Sequence, residues 1–139
     1  PLNDFLPSVG NLERYRPPKG ENIRVDDGFE EEMDIPIYYD PMLSKLITYG
    51  KDRNQAIQRM LEAIKEYDIK GVETTLAFGQ FVFQHPSFTS GDFDTHFVKE
   101  YYTPEKLKEA REKEAYLATL VALKKYQEDQ KITRLPLNK

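Results

Sequence analysis

At 139 residues, with 39% hydrophobic and 32% charged residues, the chain has the length of one domain and apolar content for a modest core. A net charge of -4 argues against a phosphate-backbone binder, which needs a basic face, and no apolar run approaches the ~18 residues of a membrane span. The absence of cysteine excludes disulfides, thiol catalysis and thiolate metal sites, and a reducing, cytoplasmic setting is expected.

The chain opens on "PLNDFLPSVG" without a methionine and is expected to have been cut from a longer protein. Residues 1–50 carry five basic and ten acidic side chains, net -5, and they read as β-rich. "NLERYR" holds Leu12 and Tyr15 as its apolar members between Gly10 and the Pro17-Pro18 break. "NIRVDDGF" puts Ile23 and Val25 on one face and Arg24 on the other, the period of a half-buried strand. "MDIPIYY" alternates through Met33, Ile35 and Ile37, and "MLSKLITYG" is a further strand ending at Gly50.

The period then changes. In "GKDRNQAIQRMLEAIKEYDIKG", Ala56, Ile57, Met60, Leu61 and Ile64 share one helical face, and Arg53, Gln58, Glu62 and Lys65 lie opposite. Asp52 or Asn54 caps its start, and Gly71 lies just past its end. "VETT" reads as a short strand or linker, and "LAFGQFVFQHP" as a helix ended by Pro86. "TSGDFDTHFVKEYY" reads as a loop running into a short helix near residues 94–101. "TPEK" opens a long helix to about residue 130, with Thr103 as N-cap and Pro104 at its first position. Residues 104–139 carry nine basic and six acidic side chains, net +3. The apolar members of the long helix are Leu107, Ala110, Tyr116, Leu117, Leu120, Val121 and Leu123.

No residue set here completes a catalytic constellation. Asp26, Asp27, Glu30, Glu31, Glu32 and Asp34 lack the ligand spacing of a calcium loop and read as a solvated acidic loop. His85 and His96, the two imidazoles, have no partner spacing for zinc and read as structural. The seven glycines are scattered singly, so no phosphate-cradling loop exists. Asp40 and Lys45 stand out as a carboxylate and an ammonium within the apolar run "DIPIYYDPMLSKLITYG". Five residues apart, they fall on opposite faces of a regular strand and need not pair.

Six motifs in order carry a resemblance. They are Phe5–Gly10, Gly20–Arg24, Tyr39–Leu46, Gly50–Met60, Gly71–Thr74 and Gly91–Phe97. Together they resemble the C-terminal domain of biotin carboxylase, over residues 2 to about 101. One departure is Glu32, where the family usually has a glycine that permits a turn or bulge. The resemblance implies an α+β domain over residues 1–101, in which an antiparallel sheet packs against the 52–67 helix. A helical extension over 102–139 lies outside the alignment. It also implies that Asp40 belongs to an active-site wall, orienting an arginine that this chain lacks, and that Arg24 lies near a homodimer interface. Lys45 matches the motif with only a structural role assigned.

By the same resemblance, the full enzyme uses ATP, Mg2+ and bicarbonate to carboxylate biotin, within an acetyl-CoA, propionyl-CoA or pyruvate carboxylase. Its partners are the ATP-grasp part of the chain, a biotin carrier protein and a carboxyltransferase component. This chain alone is expected to bind none of the cofactors and to be inactive. The competing reading is a non-catalytic interaction module that docks a partner through Leu117, Leu120, Val121 and Leu123. Nucleic acid and membrane are not expected partners under either reading.

Overall fold

The computed structural model describes residues 5–36, 38 and 40–132, and the chain falls into two compact units, residues 1–93 and 94–139. The first unit is α+β. Its strands pair antiparallel as three two-stranded ribbons among the described residues. β1 (Gly10–Asn11) pairs with β4 (Asp34–Ile35), β2 (Arg14–Arg16) with β6 (Asp68–Lys70), and β3 (Ile23–Asp27) with β5 (Ser44–Thr48).

Several sequence expectations are sharpened or corrected here. "NLERYR" is two short strands broken at Glu13, because Leu12 and Tyr15 are three apart and both must turn inward. The strand expected through "MDIPIYY" shrinks to Asp34–Ile35, since Pro36 has no N–H to continue a ladder. Ile37 and Tyr39 lie outside the described residues. Of the two readings of "VETT" the linker holds, and the short strand is Asp68–Lys70, which exists by pairing Arg14 with Lys70 and Arg16 with Asp68. An Arg14–Asp68 ion pair at 3.0 Å spans that ribbon.

The core cluster is Leu12, Tyr15, Ile35 and Tyr67, with Val25, Leu46, Ile69 and Leu76 packed against it. Leu12 is fully buried. Its N–H donates to Met33 O at 2.8 Å and its carbonyl accepts from Glu32 N–H at 2.7 Å. Glu32 holds that bond with φ +73, a left-handed conformation uncommon for a non-glycine residue. The resemblance expects glycine at this position, and the left-handed backbone here is one that glycine adopts without strain.

α1 (Arg53–Glu66) is the expected amphipathic helix, with Ile57, Leu61, Ala63 and Ile64 buried. Asp52 is the cap: its Oδ1 accepts from Gln55 N–H at 2.8 Å. Asp52→Ala is expected to lower stability by about 1 kcal/mol, read as a fall in denaturation midpoint. α1 packs against β5 and against α2 (Leu76–Gln84). The helix expected to end at Pro86 does end there, and Pro86 also opens the next one. α2 stops at Gln84, and Pro86 occupies the first position of α3 (Pro86–Ser90), where a missing N–H costs nothing.

The second unit holds α4 (Phe97–Tyr101) and α5 (Pro104–Ile132). Thr103 Oγ1 accepts from Lys106 N–H at 3.4 Å at the start of α5, as the "TPEK" signature predicts. Tyr116, Leu117, Leu120, Val121 and Leu123 are exposed on α5; the side chains of Leu107 and Ala110 are outside those described. Among the described residues no helix is long and apolar enough to cross a membrane.

Candidate functional site

The first unit contains a cavity of about 440 Å³, walled by residues 5–8, 40–44 and 73–76 and floored by Leu46, Tyr67 and Ile69. Each wall has a local cause. Residues 5–8 are pinned by Ser8 Oγ, which accepts from Glu73 N–H at 3.0 Å, and by an edge-to-face contact of Phe5 with Phe78 at 5.0 Å. Residues 40–44 lead from Asp40 into β5. Residues 73–76 lead from Gly71 into α2.

Asp40 is exposed on the cavity wall. Its Oδ1 accepts from Met42 N–H at 3.0 Å, a bond two residues along its own backbone. Pro41 between them offers no competing donor. The carboxylate is thereby held in place at the mouth, with no cation paired to it among the described residues. Among the described residues Glu73 is the other charged residue lining the cavity.

Arg24 and Lys45 are elsewhere. In the β3–β5 ribbon Arg24 pairs with Ile47 and Asp26 with Lys45, and alternation turns all four to solvent. Arg24 Nη2 donates to Asp26 Oδ2 at 3.0 Å, with its side chain 70% exposed. Lys45 thus lies across from Asp26 on a charged outer face, which accounts for an ammonium within an apolar run. The structure brings Asp40 to the cavity and leaves Arg24 and Lys45 on the outer face of the ribbon.

Sequence reasoning missed the polar element at the cavity floor. Tyr67 Oη lies 2.7 Å from Tyr15 Oη and 2.7 Å from Ser44 Oγ. Tyr67 follows Ile64 by three residues, so it continues the apolar face of α1 while carrying a hydroxyl; that is the available signal. Burial pushes the Tyr67 phenol above its ordinary range, so it stays protonated at neutral pH.

The remaining polar candidates serve local structure. His85 Nδ1 accepts from Ser87 N–H at 3.2 Å and caps α3. Asp94 Oδ1 accepts from His96 N–H at 2.7 Å, which holds its carboxyl below the usual carboxylate range. In the acidic loop, Glu31 Oε2 accepts from Tyr15 N–H at 2.9 Å, and Asp34 Oδ1 accepts from Asn11 Nδ2 at 3.0 Å. Among the described residues no three metal-ligating side chains come together.

Residues 1–100 match the family model of the biotin carboxylase C-terminal domain. The chain belongs to this family. This biotin carboxylase C-terminal domain is 45% identical over 101 residues to biotin carboxylase 1 of Bacillus subtilis. It is 44% identical over 104 residues to the mitochondrial propionyl-CoA carboxylase alpha chain of Homo sapiens. Both alignments cover 73% of this chain, but 22% and 14% of those relatives. It is also similar in structure to the biotin carboxylase domain dimer of Hydrogenobacter thermophilus 2-oxoglutarate carboxylase, solved with MgADP, ADP and bicarbonate. There the TM-score is 0.69 at 34% identity, covering 71% of this chain and 22% of that one. The domain therefore spans less than a quarter of the length of the curated relatives it matches. The family match stops at residue 100, before α5 begins.

Proposed function

We propose that this domain is the C-terminal part of a biotin carboxylase that uses ATP and bicarbonate to carboxylate carrier-bound biotin, within an acyl-CoA or pyruvate carboxylase. The observation that carries the reading is the family match across residues 1–100. The related dimer holding MgADP and bicarbonate supports the cofactor set and the assembly. Among the described residues the charged groups lining the domain's own cavity, Asp40 and Glu73, are acids. By the resemblance, nucleotide, Mg2+ and bicarbonate belong to the ATP-grasp part of the enzyme, and the 139-residue chain is not expected to turn over alone. Helix α5 (Pro104–Ile132) lies beyond the family match. The enzyme works with a biotin carrier and a carboxyltransferase, in the cytoplasm. The interaction-module reading through α5 is not favoured, since the matched residues are those of an enzyme domain.

Within this reading Asp40 is a positioning residue. Fixed by Met42 N–H, its carboxylate accepts charge-assisted hydrogen bonds from an arginine supplied by the rest of the enzyme. In the intact parent protein, Asp40→Ala is expected to slow biotin-dependent ATP cleavage roughly tenfold or more, with folding unchanged. Asp40→Asn should recover part of the loss, because it keeps the acceptor oxygen. Kinetics unaltered in the alanine variant would remove Asp40 from the active-site wall. Arg24, exposed on the ribbon face, contributes to the homodimer surface. Arg24→Glu is expected to weaken self-association, and its sedimentation as an unperturbed dimer would refute that role.

The deciding experiment is a biotin-dependent ATPase assay on the intact parent protein beside the 139-residue chain. Activity in the parent alone is the expected result. Activity in neither would overturn the enzymatic reading.

A further inference from the structure

The hydroxyl chain at the cavity floor has a direction. Tyr15, Tyr67 and Ser44 contribute three protons, and the two bonds between them use two. If Ser44 donated inward, Tyr67 would donate to Tyr15, and the Tyr15 proton would be left on a buried residue with no acceptor. Among the described residues Tyr15 Oη has no hydrogen-bond partner except Tyr67. A buried donor without an acceptor is strongly disfavoured. The chain therefore runs outward, from Tyr15 to Tyr67 to Ser44. The third proton resides on Ser44 Oγ, which is half-buried and lines the cavity.

We propose that this cavity is a binding site for a small, neutral or cationic apolar molecule bearing a carbonyl oxygen, which Ser44 Oγ–H recognises. Three features select that class. Leu46, Ile69 and Leu76 supply apolar walls. Asp40 and Glu73, the charged lining residues, repel anions and tolerate cations. The volume of about 440 Å³ falls within the roughly 300–1,000 Å³ of small-molecule sites. The buried relay fixes the donor before any ligand arrives, so little ordering is needed on binding. The site is that of the 139-residue chain; in the enzyme proposed above, an arginine on Asp40 would offset one of the two acidic charges.

The test is a titration of the 139-residue chain, followed by amide proton–nitrogen correlation spectra, with three probes. Leucinamide has an ammonium, a carbonyl and an isobutyl group. 3-Methylbutylamine is the same molecule without the carboxamide. 4-Methylpentanoate is an anion of the same size. Leucinamide is expected to shift the amides of residues 42–46 and 73–76 saturably. The amine should bind about threefold to tenfold more weakly, as loss of one neutral hydrogen bond predicts. The anion should not bind. Ser44→Ala should reduce leucinamide to the affinity of the amine while leaving the amine itself unchanged, and Ser44→Thr should restore it. Absence of saturable leucinamide shifts, equal affinity for the anion, or an unchanged leucinamide affinity in Ser44→Ala would each overturn the site. If Ser44→Ala loses its dispersed spectrum, the amide-against-amine comparison on the unaltered chain decides, and equal affinities refute the hydroxyl's role.

Discussion

Gly71→Ala is expected to lower stability by about 3–5 kcal/mol, seen as a collapse of the denaturation midpoint followed by far-ultraviolet circular dichroism. Gly71 has φ +97, so any side chain there is strained. A Cβ would also lie 1.9 Å from Asn11 O and 3.0 Å from Glu13 N, both backbone atoms that no rotamer change can move aside. To admit the methyl, the segment joining β1 to β2 must leave the end of β6. That movement would loosen Leu12, the fully buried residue between those strands. Domains of this size have roughly 5–15 kcal/mol in total, so one methyl group removes a large part of it. A loss under about 1 kcal/mol would mean that the two backbones are not in contact.

Leu12→Ala should cost about 2.7–5 kcal/mol, the range for buried leucines whose surroundings cannot close the void. Leu12 sits among Tyr15, Ile35 and Tyr67, and its own N–H and C=O are both bonded to the Glu32–Met33 turn. Neither the rings nor the turn can settle into the space without breaking those bonds. The control is Leu120→Ala on α5, where the side chain is 45% exposed and the change should be within about 0.5 kcal/mol. Similar losses at both positions would contradict the placement of the core.

What can be read in advance follows the range of the forces involved. α1 is legible from its 3.6-residue period and from Asp52, because helix period and cap are local. β6 is not legible. Two of its three residues are charged, and it is a strand only because Arg14–Arg16, some fifty positions earlier, lies beside it. Gly71 reads as a helix-terminal glycine for the same reason: the strand that separates it from α1 leaves no periodic signature. Pro86 is recognisable as a break, but a proline that ends one helix can also begin the next. At the site, the resemblance names Asp40, whereas the Tyr15–Tyr67–Ser44 hydroxyls come together only through folding.

The division of the strands into three ribbons has a consequence for solubility. In a two-stranded ribbon every strand is an edge, open in principle to pairing with another molecule and to growth into fibres. Here no described strand exceeds five residues. β4 runs into Pro36 and β2 into Pro17 and Pro18, none of which can donate to a further strand. β3 and β5 carry Arg24, Asp26 and Lys45 outward, and β6 is bounded by Asp68 and Lys70. Among the described residues each of the six open edges is thus short, charged or stopped by proline, which makes it a poor template for aggregation.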